Sequence, residues 1–169
     1  MSGKANIVLH NVSIVEGGFL DTIDFSPAAT NFLQHGRYTA APEGTYAYKE
    51  FWDEETRRCR EGYEINGIRV TGPHYFYLNY CQIKATINDA GMQRKILTFP
   101  SFLDMDYYFY HEVEIARAAG QGLIVAKARR KGFSYKNGAL AVWNYNFLRD
   151  STSIIGAFLA EYSNSTMAM

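Results

Sequence analysis

The period of apolar positions changes several times along the chain, and each change marks an element. Residues 1–25 alternate weakly around Gly17-Gly18, which predicts a loose arm with a short strand at Ile7–Leu9. Ser26-Pro27 predicts a helix start, since Ser caps well and Pro suits the first turn, and Gly36 ends the helix. Thr45 to Glu61 predicts a longer helix with Tyr48, Phe51 and Trp52 on one side and a solvated, charged remainder. Asn66-Gly67, between Tyr63-Glu64-Ile65 and Ile68-Arg69-Val70, is a strong hairpin signal. The aromatic run Tyr75 to Ile83 reads as a strand whose rings serve sheet packing. Segments 83–87 and 92–99 flank Asn88-Asp89-Ala90-Gly91 as a second hairpin, and Phe99-Pro100 closes the β region. Asp104 to Ala119 predicts a helix ending at Gly120.

Beyond Gly120 the pattern changes. Gly122-Leu-Ile-Val-Ala126 is a short continuous apolar run, as in a strand buried on both faces. A basic turn follows over 127–133. Ser134 to Arg149 predicts a helix that is apolar almost all round and therefore buried. Ser153-Ile-Ile-Gly-Ala-Phe158 reads as a second apolar strand, completing a βαβ unit with a parallel sheet.

Composition narrows the class. A chain of 169 residues with 47% hydrophobic residues, 13 Tyr, 11 Phe and 2 Trp is a folded domain, not a disordered chain. Lys+Arg and Asp+Glu are both 17, so the overall basic balance of a stand-alone nucleic-acid binder is absent. The charge is uneven, however: five basic residues fall within Lys127 to Lys136, which points to a local anion site. Two cysteines, Cys59 and Cys81, and four scattered histidines suggest neither a disulfide scaffold nor zinc. No signal peptide or membrane-spanning run is visible, so a reducing cytoplasm is expected.

The basic turn reads Lys127-Ala-Arg-Arg-Lys-Gly132-Phe-Ser134-Tyr-Lys136, between an apolar strand and a buried helix. Phosphate-binding loops need this placement, because turn N–H groups and the positive helix end converge on an anion. Against the pattern G-x-x-x-x-G-K-[ST], Gly132 matches the second glycine and Ser134 the Mg²⁺-binding hydroxyl. Phe133 stands in place of the lysine and Lys127 in place of the first glycine. A loop curled round phosphates brings its first residue near its last, so Lys127 can supply the missing charge. The plainer readings are a basic loop at a helix start, or a contact to nucleic-acid phosphates.

Three segments together resemble the N-terminal ATPase region of the large terminase subunit of tailed bacteriophages, the DNA-packaging motor. They are the Lys127–Ser134 loop, similar to a Walker A variant with its lysine at the loop start; Tyr75 to Ile83, similar to a segment upstream of the ATP site; and Phe99 to Tyr107, where the family has its adenine-contacting segment. The resemblance covers roughly residues 45–169. It implies an α/β, P-loop NTPase-type parallel sheet, incomplete in this chain, with a β-hairpin-rich α+β N-terminal elaboration. Residues 1–44 are then an N-terminal arm with a short helix, and 45–169 the N-terminal part of the ATPase domain.

The resemblance also implies roles. Lys127 contacts the β- and γ-phosphates of ATP, with Arg129 or Arg130 sensing the γ-phosphate. Ala128, Lys131, Gly132, Phe133 and Tyr135 surround the phosphates with backbone amides, and Ser134 ligates Mg²⁺. Phe99, Pro100 and Phe102 pack against adenine. The family's adenine-site glutamine has no counterpart here; Asp104 and Asp106 stand nearby. The Walker B Asp, the water-activating Glu and the nuclease domain are expected beyond residue 169, Glu161 being read as an ordinary strand end, so the chain is expected to be an inactive piece of a longer ATPase. Implied partners are double-stranded viral DNA, the portal protein, the small terminase subunit and like subunits in a homo-oligomeric ring, with no membrane. The implied location is the host cytoplasm, at the procapsid portal during packaging, and not the mature virion. The rival classes are a non-enzymatic nucleic-acid phosphate-binding module using the 127–136 loop, and a small P-loop kinase.

Overall fold

The computed structural model describes residues 8–9, 12–13, 24–89, 92–128 and 132–156. In chain order its elements are β1 (Val8–Leu9), β2 (Val12–Ser13), α1 (Pro27–His35), α2 (Tyr46–Glu61), β3 (Tyr63–Ile65), β4 (Ile68–Val70), α3 (Gly72–Tyr80), β5 (Ile83–Asp89), β6 (Met92–Thr98), α4 (Asp104–Ala118) and α5 (Phe133–Phe147). The architecture among these residues is α+β, with strands paired only as the antiparallel ribbons β1–β2, β3–β4 and β5–β6.

Local signals account for most boundaries. The Thr45 hydroxyl caps α2 by accepting from the Tyr48 N–H. Asn66 and Gly67, at φ 53° and 76°, make the two-residue turn that pairs Ile65 with Ile68 and Tyr63 with Val70. Gly36 ends α1 in the left-handed conformation. Ser26 makes no side-chain cap there. Asn79 does that work from α3: its Oδ1 accepts from the Ala28 and Ala29 N–H groups at 2.9 and 3.2 Å, and its Nδ2 donates to Phe25 O.

Tyr75 to Tyr80, read from the sequence as part of a strand, is helical. Thr71 caps α3, accepting from the His74 N–H, and Pro73 occupies its first turn. The helix lies at the centre of the molecule, against α1, α2, α4 and α5. Gly72, Pro73, His74, Tyr75, Tyr77, Leu78 and Asn79 are all buried. A helix surrounded on every side carries no polar stripe, so its sequence shows no helical period.

Two apolar clusters flank α3. One gathers Phe25, Cys59, Val70, Tyr75, Leu78 and Tyr107; the other gathers Tyr77, Phe109, Tyr110 and Ala139. Glu55 is buried on α2 and accepts from the Tyr75 and Tyr80 hydroxyls at 2.8 and 2.6 Å, while Arg58 pairs with its other oxygen. The Trp143 indole N–H donates to Cys59 O at 2.6 Å, fixing α5 on α2.

The C-terminal part departs further from expectation. Only one side of α5 is covered: Lys136, Gly138, Ala139 and Trp143 are buried, whereas Val142 and Tyr145 are exposed. Residues 121–128 and 151–156 have no regular secondary structure, and no parallel pairing is found among the described residues; residues 157–158 of the second expected strand lie outside them. Ile124 is 97% exposed. None of the described helices is long and apolar enough to cross a membrane.

Candidate functional site

The segment before α4 and the start of α5 face each other across a cleft of about 800 Å³. Pro100, Ser101, Phe102 and Leu103 line one wall, Gly132, Tyr135 and Lys136 the other, and Tyr77 and Ile83 complete it. All three segments singled out in the sequence thus contribute to one cleft: Gly132 from the basic loop, Tyr77 and Ile83 from the aromatic run, and Pro100 to Asp106 from the segment before and at the start of α4. Gly132 is the N-cap residue of α5 at φ 69°, a left-handed conformation that favours glycine. It lets the chain turn sharply into the helix and leaves the first-turn N–H groups of α5 without a side-chain cap.

Phe102 is half-buried, stacked on Phe25 at 4.4 Å and on His74 at 5.4 Å, with part of its surface on the cleft. Phe99 differs from expectation: it is 7% exposed, meets Phe32 edge-to-face at 5.8 Å, and does not line the cleft. Its neighbour Pro100 is buried and still borders the cleft.

At the inner wall, the Lys136 ammonium pairs with the Asp106 carboxylate, and each side chain is 2% exposed. The ammonium also lies 4.6 Å from the centre of the Phe133 ring. Burial pushes the Asp106 carboxyl above its usual range, while Lys136 pulls it back. His74 stacks on both Phe102 and Tyr110, the Tyr110 ring 4.8 Å away and nearly parallel. Burial holds His74 far below its ordinary pKa, and the neighbouring His111 and Lys136 push the same way, so it is neutral.

Lys127 does not line the cleft. It is exposed at the end of the 121–128 segment and lines two smaller cavities, of about 480 and 400 Å³, with Phe109, Leu123, Val125 and Phe133. Its ammonium is 5.9 Å from the centre of the Phe133 ring. One aromatic ring is therefore shared by Lys127 and by the buried Lys136. Ser134 is exposed in the first turn of α5, and its hydroxyl makes no hydrogen bond among the described residues. Ala128 is exposed; Arg129, Arg130 and Lys131 lie outside the described residues. The Tyr135 hydroxyl accepts from the Lys84 N–H at 3.3 Å, tying α5 to the β5–β6 ribbon.

Sequence reasoning missed the Asp106–Lys136 pair, although both residues fell inside segments it had marked. The visible signal was an acid at the start of an aromatic helix and a lysine four residues after Gly132. No group of acids, histidines and cysteines able to hold a metal occurs among the described residues. Ser134 fits the lesser role of one hydroxyl ligand, since Mg²⁺ keeps several waters and is held largely by substrate phosphates. No protein-family model matches the chain, and neither a curated protein nor a solved structure is significantly similar to it.

Proposed function

We propose that this chain is the nucleotide-binding part of a DNA-packaging ATPase of the large-terminase type. The observation that carries the reading is the shared cleft: the 100–106 segment and the start of α5 were assigned to opposite ends of one nucleotide, and they border one space large enough for it. In this reading the base lies against Pro100 and Phe102. The phosphates lie at the uncapped amides following Gly132, where the helix dipole favours an anion. Lys127 reaches the terminal phosphates from the loop start, and Arg129 or Arg130 senses the γ-phosphate.

Mg²⁺, when bound, neutralises charge on the β- and γ-phosphates, and Ser134 is the residue of this chain that would hold it. The protein's own groups bind and orient the nucleotide. Turnover requires in addition an acid that positions water; this reading gives that role to neither of the cleft's acids, Asp104 and Asp106, the latter being paired with Lys136. Residues 122–126 and 153–158 serve as adjoining strands of a parallel sheet. Translocation of double-stranded DNA, the portal and small-subunit partners, and ring assembly belong to the same proposal and rest on the sequence resemblance.

One observation favours a second reading, in which the basic loop grips nucleic-acid phosphates without nucleotide. Lys127 is exposed and stands outside the cleft. The test is Lys127→Ala in the intact protein, with ATPase rate and thermal melting measured together. An unchanged melting temperature with turnover lower by about 10²–10³ is expected for loss of a charge-stabilising group. Unchanged turnover moves the catalytic cation elsewhere. If Lys127→Ala instead weakens only a steeply salt-dependent nucleic-acid binding, the second reading holds.

A further inference from the structure

The β5–β6 ribbon serves neither core nor cleft beyond its first residue. Ile83 packs at the edge of the second apolar cluster, and the Lys84 N–H is bonded to Tyr135. Beyond that root, the seven-residue strands run about 23 Å at the usual rise per residue. A two-stranded ribbon is marginal alone, so this anchorage defines its direction.

The register sorts its side chains. Ile83, Ala85 and Ile87 share one face with Thr98, Ile96 and Arg94. Lys84, Thr86 and Asn88 share the other with Leu97, Lys95 and Gln93, and all six are exposed. Asn88 sits directly opposite Gln93. Lys84, Arg94 and Lys95 make no ion pair among the described residues. Residues 83–98 carry three basic side chains against one acid, Asp89, within a neutral chain. By contrast Arg57 and Arg58 are paired with Glu54, and Arg69 with Glu114.

We infer that the β5–β6 ribbon is a grip for double-stranded DNA, its Lys84–Asn88–Gln93–Lys95 face entering the major groove. That groove is about 12 Å wide and admits a two-stranded ribbon. Cations along the ribbon meet phosphates, and the paired Asn88 and Gln93 amides present donors and acceptors to base edges. The inference is independent of nucleotide binding in the cleft and is read without nucleotide.

The experiment is fluorescence anisotropy of the full chain with a 25-base-pair DNA duplex over a salt series. Lys84→Glu/Lys95→Glu is expected to bind at least tenfold more weakly. Its slope of log affinity against log salt should be shallower by about 2, the value for two lost phosphate contacts. Asn88→Ala/Gln93→Ala should lower affinity with the slope unchanged. Lys49→Glu, on an exposed helix position away from the ribbon, is the control and should bind as wild type. A melting curve checks that the charge-reversed protein is folded; if it is not, Lys84→Gln/Lys95→Gln replaces it. Unchanged duplex affinity in a folded ribbon variant overturns the inference. So does loss of duplex binding in Lys127→Ala alone, or a wild-type protein that binds anionic phosphatidylserine vesicles but not the duplex.

Discussion

Lys136 of α5 and Asp106 of α4 form an ion pair with both side chains buried, and this pair joins the two walls of the candidate cleft. A buried pair is expensive to half-remove, because the surviving charge loses its partner in a low-dielectric site. Asp106→Ala is therefore expected to cost about 3–5 kcal/mol. Asp106→Leu/Lys136→Met removes both charges and should cost far less. Urea unfolding of the three proteins checks this. Equal losses in the single and double variants would mean that packing, not charge, sets the cost.

His74 adds a pH dependence with a definite sign. Its folded pKa lies far below the ordinary 6.5, first because it is buried and then because His111 and Lys136 are near. The unfolded chain therefore takes up a proton at this site near pH 6.5 and the folded chain does not. Stability contributed by neutral His74 is complete above pH 6.5 and falls as pH drops below it, by up to about 1.4 kcal/mol per pH unit. Among the described residues neither ring nitrogen has a hydrogen-bond partner, and the Phe102 and Tyr110 rings stack on the imidazole. His74→Phe is thus expected to fold and to flatten the decline between pH 6.5 and 5. Denaturant midpoints of both proteins across that range are the measurement. Parallel curves would place the acid sensitivity at other groups.

Gly72 begins α3 where it passes closest to the end of α2. A Cβ there would press on the carbonyl oxygens of Cys59 and Arg60, 2.6 Å from the latter. Both are backbone atoms that cannot swing aside. Gly72→Ala, a substitution that favours an isolated helix, is expected here to destabilise by about 1–3 kcal/mol through overpacking. Thermal melting shows the sign directly.

Elements whose limits are set by nearby residues were legible in the sequence. Thr45 and Gly62 bracket α2, Pro27 and Gly36 bracket α1, and Asn66-Gly67 turns the first of the two predicted hairpins. The helical state of α3 was not legible, because β-favouring aromatics and the lack of a polar stripe outweighed the Thr71 cap and Pro73. The strands expected at 122–126 and 153–158 depend on partners rather than on local residues. An apolar run becomes a strand only when another backbone satisfies its N–H and C=O groups, and no such pairing is described for 122–126. The candidate site was legible as two segments. Their meeting across a cleft, and the pair that joins its walls, arise from the docking of α4 and α5 on α3, which no local pattern encodes.

The measurement that tests the central claim most directly is photolabelling of the full chain with 8-azido-ATP and Mg²⁺, followed by peptide mapping. Covalent capture reports a weak complex as well as a tight one. The expected result is an adduct on residues 100–106 or 132–136 that excess Mg-ATP suppresses. An adduct elsewhere in the chain, or labelling that Mg-ATP does not suppress, would contradict a nucleotide site between Phe102 and the start of α5.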